Sequence, residues 1–231
     1  MLQKRLLKNW QRLLDQLLTS LLGDIEKITP WFNYLTYWNL EIKKEIIMKN
    51  EEDSKTQIAV LGGGCFWCLE PVFSQLKGVT KVESGYSGGN ESNPDYKKVC
   101  SGNTGHAEVI KIEFDPDKIS YELLLRIFFA VHDPTTLNSQ GNDRGTQYRS
   151  IILYSTPQQE QIALRVIRDI ENSKIYPEPL VTEIKPLHRF YKAEDSHQEY
   201  FYTNPYQPYC QAIISPKVAK FRKKFTEYLN K

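Results

Sequence analysis

The sequence has few cysteines, little net charge and no long apolar run, and each of these deficits excludes a class of protein. Four cysteines among 231 residues are too few and too unevenly spaced for the disulfide framework of a small secreted domain. The net charge is +2, and the part beyond residue 50 is close to neutral, so no basic field would attract nucleic acid. Charged residues interrupt the leucine-rich start, which argues against a membrane span.

The remaining composition is typical of a folded protein with one main domain. Hydrophobic residues make up 40% of the chain, aromatic residues 12% and charged residues 25%. The N-terminus lacks the compact apolar segment and small-residue cleavage site of a secretion signal, and the cysteine usage favours a reducing compartment. We therefore expect a cytoplasmic protein, and nothing in the sequence requires more than a monomer.

Residues 1–55 form a predicted helical appendage and linker, distinct from the main domain at 56–231. Apolar residues three or four apart over residues 1–27 predict an amphipathic helix, which Pro30 ends. Three interpretations stay open: the appendage binds a membrane surface or a partner, it packs on the main domain, or it lies upstream of a natural start at Met48. A chain that starts at Met48 keeps every motif described below.

The main domain predicts strands and helices in an irregular order. The predicted strands are Ile58–Leu61, Val79–Ser84, Ala107–Phe114, Ser150–Tyr154 and, as the last one, Val181–Ile184. The longer predicted helices are Tyr121–Val131, capped by Ser120, Pro157–Glu171, capped by Thr156 or Ser155, and a basic one at 216–229. A shorter helix follows Cys65, and Pro71 predicts that its regular part starts near Glu70. The mixture predicts an α+β fold, a two-layer sandwich with a mixed, mainly antiparallel sheet.

Cys65 is the first candidate for chemistry. It follows Gly62-Gly63-Gly64 at a predicted strand-to-helix junction, where backbone N–H groups and the helix dipole favour an anion. We therefore expect a lowered pKa and a nucleophilic thiolate at Cys65. The alternative is a small buried core residue, which is the commonest fate of a free cysteine.

Cys65 and Cys68 form a C-x-x-C pair, which allows two further interpretations. The pair is half of a tetrahedral zinc site, but Cys100 and Cys210 are isolated and no two histidines have ligand spacing. It also matches the redox pair of a general thiol–disulfide oxidoreductase, although the neighbouring elements give no clear βαβ unit. Both interpretations stay open at this point.

Three polar segments at 93–108, 132–149 and 193–210 are rich in Gly, Asn, Asp and Tyr, a composition suited to site loops. Glu108 stands out because it opens an apolar strand. If the strand buries it, its pKa rises and the carboxyl can donate a proton at neutral pH. The alternative for these segments is ordinary turn chemistry at strand ends.

Motifs in these segments resemble, in the same order, those of the peptide methionine sulfoxide reductase A family. The motifs are Gly64–Trp67, Gly85–Gly89, Asn93–Tyr96, Cys100–Glu108, His132–Thr136, Gly141–Arg149, Thr182–Ile184 and Phe190–Gln198. Each is weak alone, but eight in register are specific. The resemblance runs from about Ile58 to about Phe225 and does not cover residues 1–55.

The resemblance implies a two-layer α+β sandwich related to ferredoxin-like folds. It also implies an oxidoreductase that returns methionine-S-sulfoxide, free or in oxidised proteins, to methionine and so repairs proteins after oxidative stress. The family uses no metal and no bound cofactor; thioredoxin is its reductant. The expected partners are therefore thioredoxin and the sulfoxide substrate, with no nucleic acid.

By motif match, the resemblance implies a role for each of seven residues. Cys65 attacks the sulfoxide sulfur, and Phe66 and Trp67 form the apolar pocket for its methyl group. The sulfoxide oxygen leaves only when protonated, so donors must surround it. The implied roles there are proton donation by Glu108, hydrogen bonding by Tyr96 and Tyr148, and ordering of the site with poising of Cys65 by Asp143.

The reaction leaves Cys65 as a sulfenic acid, which a second cysteine must resolve as a disulfide that thioredoxin then reduces. Cys210 matches the usual resolving position and lies in a loop-rich tail, so we favour it. Cys68, where the family commonly has glycine, is the second candidate. Cys100 is expected to have a packing role.

Overall fold

The computed structural model describes residues 56–230. Its strands are β1 (Gln57–Gly62), β2 (Val79–Ser87), β3 (Ala107–Phe114), β4 (Ser139–Gln140), β5 (Asp143–Arg144), β6 (Ile151–Tyr154), β7 (Glu183–Pro186) and β8 (Phe190–Lys192). Its α-helices are α1 (Phe66–Phe73), α2 (Tyr96–Cys100), α3 (Tyr121–Val131), α4 (Pro157–Ser173), α5 (Tyr200–Thr203) and α6 (Ser215–Lys224). The predicted appendage, residues 1–55 with its amphipathic helix, lies outside the described residues.

Six strands form one sheet in the order β7-β6-β1-β3-β2-β8, and β4 and β5 form a separate hairpin. Every neighbouring pair in the large sheet is antiparallel except β6 and β7. The prediction of an α+β fold with a mixed, mainly antiparallel sheet is confirmed.

The helices pack on one face of this sheet, as the alternation in β1 illustrates. Ala59 and Leu61 join the large core that contains the buried faces of α1, α3, α4 and α6. Val60, between them, points to the other face and joins a small cluster with Val109 and Ile151. The large core thus lies between sheet and helices, and the end of β1 delivers the chain to the start of α1.

The two predicted caps are confirmed. The Ser120 hydroxyl accepts a hydrogen bond from the Leu123 N–H at 3.1 Å at the start of α3. The Thr156 hydroxyl accepts from the Gln159 N–H at 3.2 Å at the start of α4. Each side chain satisfies one of the N–H groups that a helix N-terminus leaves without a partner.

The first helix departs from the prediction, because α1 begins at Phe66 and not near Glu70. Pro71 lies inside the helix and removes one backbone hydrogen bond. Seven of the eight α1 residues are buried, and this packing outweighs the lost bond. The early start places Cys65 directly at the helix N-cap.

The sheet also extends further than predicted on its β2 edge. Gly85 to Ser87, expected in a loop, continue β2, and β8, which the sequence did not predict, pairs with them. The predicted last strand, Val181–Ile184, is observed two residues further along as β7 (Glu183–Pro186), and β8 follows it, so it is not the last strand. Gly85 fits because a Cβ there would collide with the Tyr191 carbonyl oxygen.

Candidate active site

Cys65 lies where β1 ends and α1 begins, and only 7% of its surface is exposed. The glycines before it allow this close packing. Gly64 has φ +92°, a conformation that favours glycine, and its N–H donates to the Tyr148 carbonyl at 3.1 Å. This bond brings the segment that carries Tyr148 next to Cys65.

Glu108 lies beside Cys65 and is 1% exposed. It is the second residue of β3, and its Oε2 accepts a hydrogen bond from the Phe66 N–H at 3.1 Å. Burial raises its pKa to about 8, and the charge of Asp143 adds to the increase. The predicted burial and raised pKa of Glu108 are confirmed, so the carboxyl carries its proton at neutral pH.

The predicted lowering of the Cys65 pKa is wrong. Burial raises the pKa of this thiol, and its hydrogen bond with Cys68 and the charge of Glu108 raise it further. The first N–H of α1, at Phe66, donates to the Glu108 carboxyl, so it does not stabilise a Cys65 thiolate. The free protein therefore keeps a proton on Cys65 as well as on Glu108.

Cys68, one turn along α1, has the opposite shift. The hydrogen bond with Cys65 lowers the pKa of Cys68, and the positive charge of Lys217 lowers it too. Its sulfur lies 3.8 Å from the Tyr209 hydroxyl, which donates to Asp143 Oδ2 at 2.8 Å. Within the described contacts Asp143 thus reaches Cys68 through Tyr209, rather than Cys65 directly.

The other two cysteines differ in place and exposure. Cys210 is fully buried and starts a π-helical turn, Cys210–Ile214, that runs into α6. The expected loop around Cys210 is therefore a helix. Its pKa is raised by burial and by the charge of Cys68. Cys100 is exposed at the end of α2 and hydrogen-bonds Tyr96, so the expected packing role is not what the structure shows.

A cluster of five rings, which we call the aromatic wall, stands beside Cys65. Its members are Trp67, Tyr96, His197, Tyr200 and Tyr209. Tyr200 stacks on Trp67 with ring centroids 3.7 Å apart and planes 9° apart, and His197 lies 4.4 Å from Tyr96. Phe66 is fully buried behind the wall, 5.5 Å from His197 and 5.9 Å from Tyr86.

Tyr96 and Tyr148 both lie in the electrostatic field of the same two groups. Burial raises the pKa of each hydroxyl, the hydrogen bond with Cys100 raises that of Tyr96 further, and Glu108 and Cys65 raise both once they ionise. Both hydroxyls therefore stay protonated and can donate hydrogen bonds near Cys65. The predicted site residues Cys65, Glu108, Tyr96 and Tyr148 are thus brought together.

Glu194 is a site residue to which the sequence interpretation gave no role. Its Oε2 accepts from the Tyr86 hydroxyl at 2.8 Å, and its Oε1 accepts from the Tyr96 N–H at 2.9 Å. The carboxylate thereby fixes the start of α2 to β2 and holds Tyr96 in place. The signal in the sequence was the polar segment at 193–210, which also supplies His197, Tyr200 and Tyr209.

Between residues 56 and 230, no three His, Cys, Asp or Glu side chains come together in a way that could hold a metal ion. Over the same residues, no helix combines the length and the apolar surface needed to cross a bilayer.

The sequence profile of the family described as peptide methionine sulfoxide reductase matches residues 57–229. The chain belongs to this family. The match begins at the first residue of β1 and includes every residue of the site described above.

Individual members of the family are similar over the same part of the chain. The peptide methionine sulfoxide reductase MsrA of Polynucleobacter asymbioticus is 56% identical over 167 residues, which are 72% of this chain and 88% of that protein. The MsrA of Trichodesmium erythraeum is 54% identical over 171 residues, 74% of this chain and 97% of that protein.

Solved structures of the family share the fold. The reduced form of Mxr1 from Saccharomyces cerevisiae superimposes with a TM-score of 0.63 and 33% identity, over 68% of this chain and 90% of that one. Methionine sulfoxide reductase A of Corynebacterium diphtheriae gives a TM-score of 0.60 and 35% identity, over 67% and 78%. The predicted membership and reductase activity are confirmed: the chain is an oxidoreductase that reduces peptide methionine sulfoxide.

Proposed function

We propose that Cys65 attacks the sulfur of methionine-S-sulfoxide and that Glu108 protonates the departing oxygen. The observation that carries this proposal is the buried Glu108 carboxyl beside Cys65, with its pKa raised to about 8. A carboxylic acid that keeps its proton at neutral pH is a suitable general acid for an oxygen that leaves only when protonated.

The first step balances without an outside proton. A thiol and a sulfoxide become a sulfenic acid and a sulfide, so the sulfoxide oxygen ends on the Cys65 sulfur and one proton ends on that oxygen. Glu108 hydrogen-bonds the Cys65 side chain. It can therefore give its proton to the oxygen while the thiol proton replaces it, and the thiolate forms only as the sulfoxide is engaged.

Tyr96 and Tyr148 would hold the sulfoxide oxygen between them as hydrogen-bond donors. Such donors stabilise the charge that develops on oxygen, and removal of one typically slows an enzyme about 10²- to 10³-fold. Trp67 would take the methyl group against its ring, with Tyr200 stacked behind it. Phe66 is fully buried, so we give it the role of supporting Trp67 from below.

We propose Cys68 as the cysteine that first resolves the sulfenic acid. Its thiol already hydrogen-bonds Cys65, and its lowered pKa makes a thiolate available at neutral pH. Attack of this thiolate on the Cys65 sulfur forms the disulfide and breaks the S–O bond; the departing hydroxide takes one proton, which Glu108 can supply, and leaves as water. Cys210, which the sequence favoured, is fully buried in a helical turn, so its attack would require that turn to open.

A Cys65–Cys68 disulfide must be reduced by an external dithiol, and we propose thioredoxin for this step. A thioredoxin thiolate would attack one sulfur, and its second thiol would release the reduced enzyme as thioredoxin becomes oxidised. This recycling needs a compartment that maintains reduced thiols, which favours the cytoplasm. We assign no further cofactor.

We also propose that the fold is a two-layer sandwich of the ferredoxin-like type. Leaving out the edge strands, the sheet order β6-β1-β3-β2 with α1 after β1 and α3 after β3 matches a β-α-β-β-α-β arrangement. Residues 56–231 would form this domain, with residues 1–55 as a helical appendage and linker.

The mechanism is tested by a single turnover without reductant. One equivalent of methionine should form per enzyme molecule, with the loss of two thiols. In Cys68→Ser the methionine should still form, but one thiol should be lost and a sulfenic acid should be trapped by dimedone. Cys210→Ser is the matched control and should behave like the wild type.

Two outcomes would contradict parts of this account. Loss of two thiols in Cys68→Ser but only one in Cys210→Ser would make Cys210 the resolving residue. Methionine formation by Cys65→Ser would remove Cys65 from the reaction altogether.

A further inference from the structure

Glu70 is a buried carboxyl that the mechanism above does not use. It is the fifth residue of α1 and is 2% exposed. Its Oε1 accepts a hydrogen bond from the Glu199 N–H at 2.9 Å, and the Tyr200 N–H also interacts with the carboxyl, whereas Oε2 has no hydrogen-bond partner among the described residues. Since charged groups are rarely buried without a partner, these contacts call for an explanation.

Glu70 contacts the N-terminal end of a turn whose carbonyl side is closed by its own backbone, since the Glu199 carbonyl accepts from the Tyr202 and Thr203 N–H groups. Glu199 has φ +50°, in the left-handed region that favours glycine, and its own side chain does not cap α5. The first N–H groups of a helix have no partners within the helix. The Glu70 carboxylate supplies that partner from another element, and so it ties the start of α5 to α1.

The residue that follows this turn is Tyr200, whose ring stacks on Trp67 at 3.7 Å. Trp67 and Glu70 are three residues apart on α1, and such positions lie on neighbouring parts of a helix surface. The helix therefore meets the 199–200 segment at two points, by the Trp67 ring and by the Glu70 carboxyl.

We propose that Glu70 is a positioning residue, which holds Tyr200 against Trp67 and thereby maintains the pocket for the sulfoxide methyl group. The proposal rests on the proposed function of Trp67. Glu70 itself touches neither Cys65 nor the reacting atoms; it acts on substrate affinity through Tyr200.

The surroundings of Glu70 make this role testable without loss of the fold. A cleft of about 280 Å³ opens beside the carboxyl and is lined also by Ser74, Thr80 and Tyr202. Water in this cleft can replace the carboxyl as the partner of the Glu199 N–H in Glu70→Ala. A glutamine at position 70 keeps an acceptor oxygen of the same reach, so Glu70→Gln is the conservative variant.

The experiment measures single-turnover rates of the full-length protein against the concentration of N-acetyl-methionine-S-sulfoxide methyl ester, without reductant. Glu70→Ala should raise the half-saturating concentration about five- to ten-fold, in line with a lost aromatic contact, and leave the maximal rate within about two-fold. Glu70→Gln should restore the wild-type value. Thr80→Val, in the same cleft, is the matched control: its hydroxyl donates to the Glu113 carbonyl and not to α5, so the half-saturating concentration should not change.

A double variant tests the route through Tyr200. Tyr200→Ala should raise the half-saturating concentration, and the addition of Glu70→Ala should then have no further effect, because both changes remove the same contact. Independent, additive effects would overturn the proposal. An unchanged half-saturating concentration in Glu70→Ala, or a Glu70→Gln variant as impaired as Glu70→Ala, would overturn it as well.

The wild type in the same assay separates this inference from the function on which it rests. Turnover by the wild type together with any of the contradicting results would overturn the role of Glu70 alone. No turnover by the wild type would overturn the proposed mechanism, and the role of Glu70 with it.

Discussion

At the residue scale, the site depends on burial and on hydrogen bonding, which together shift the pKa values of three titratable groups in different directions. Burial raises the pKa of Glu108 and of Cys65, so both hold protons that the sulfoxide oxygen needs. The hydrogen bond from Cys65 lowers the pKa of Cys68 and prepares it for the second step. One small volume thus holds an acid, a protonated nucleophile and a thiolate.

The rate of the reduction step should depend on the protonation of Glu108. The carboxyl can donate only while it is protonated, so the single-turnover rate should fall as the pH rises through about 8. Glu108→Gln, which cannot donate a proton, should be about 10²- to 10⁴-fold slower. Its single-turnover rate should no longer fall as the pH rises through about 8. A stopped-flow pH series on both proteins checks it; an unchanged alkaline fall in Glu108→Gln would assign the pKa to another group.

The same carboxyl should lower stability at neutral pH. Because its pKa in the folded protein lies above its ordinary value of 4.5, the folded chain binds more protons than the unfolded chain between these values. The free energy of unfolding should therefore fall as the pH rises towards about 8, by up to about 1.4 kcal/mol per pH unit. Relative to the wild type, Glu108→Gln should gain stability over this range.

Urea denaturation at about pH 5 and about pH 8 measures this gain in stability. Glu113→Gln, which replaces a partly exposed carboxyl of the same strand, is the control. A stability difference between Glu108→Gln and the wild type that is the same at both pH values would contradict the account.

At this scale the sequence identified the residues of the site, but it gave the wrong direction for the pKa shift of one of them. Cys65 and Glu108 stood out by their places after three glycines and at the start of an apolar strand. The direction of the Cys65 pKa was wrong because the sequence does not show that the Phe66 N–H is taken by Glu108, 42 residues away. Contacts between residues so far apart in the sequence depend on how β1 and β3 pair.

At the element scale, the spacing of β1, β3 and α1 sets the distance between nucleophile and acid. Gly62, the last residue of β1, lies against β3, and a Cβ there would come 2.8 Å from the Glu108 carbonyl oxygen. Since backbone cannot yield as a flexible side chain does, a larger residue would push the two strands apart.

Gly62→Ala should therefore lower both stability and turnover. We expect a loss of about 1–3 kcal/mol in the free energy of unfolding and a clear fall in the single-turnover rate, because β3 carries Glu108. Gly141→Ala is the control: a Cβ there meets nothing within 4 Å, and only its left-handed φ of +59° opposes the change. Equal effects of the two substitutions on the rate would contradict this account of the strand spacing.

Local sequence patterns predicted a helix start correctly where a neighbouring side chain determines that start. Ser120 and Thr156 identified the starts of α3 and α4 through their side-chain caps. The start of α1 was misplaced because Pro71 is a local signal that the burial of the whole helix overrides. The short strand β8 was missed because only pairing with Gly85–Ser87, about a hundred residues earlier, makes it a strand.

At the scale of the whole molecule, the described residues and the family match coincide. The family profile covers 57–229, and the sheet, the helices and the site all lie within that range. The fold class and the family were predictable because eight motifs occur in order along it. The aromatic wall was less predictable, since its members come from three separate segments.

A shortened chain that begins at Met48 should keep full reductase activity. Every site residue and the first strand lie beyond that point. Comparison of single-turnover rates and melting temperatures of the full and shortened chains checks this. A loss of activity or of solubility in the shortened chain would show that residues 1–47 belong to the catalytic domain.

The most direct measurement of the central claim is the reduction of the separated S and R epimers of a peptide methionine sulfoxide with dithiothreitol. The account predicts turnover of the S epimer alone by the wild type and no turnover by Cys65→Ser. Equal reduction of both epimers, or S reduction that survives in Cys65→Ser, would contradict it.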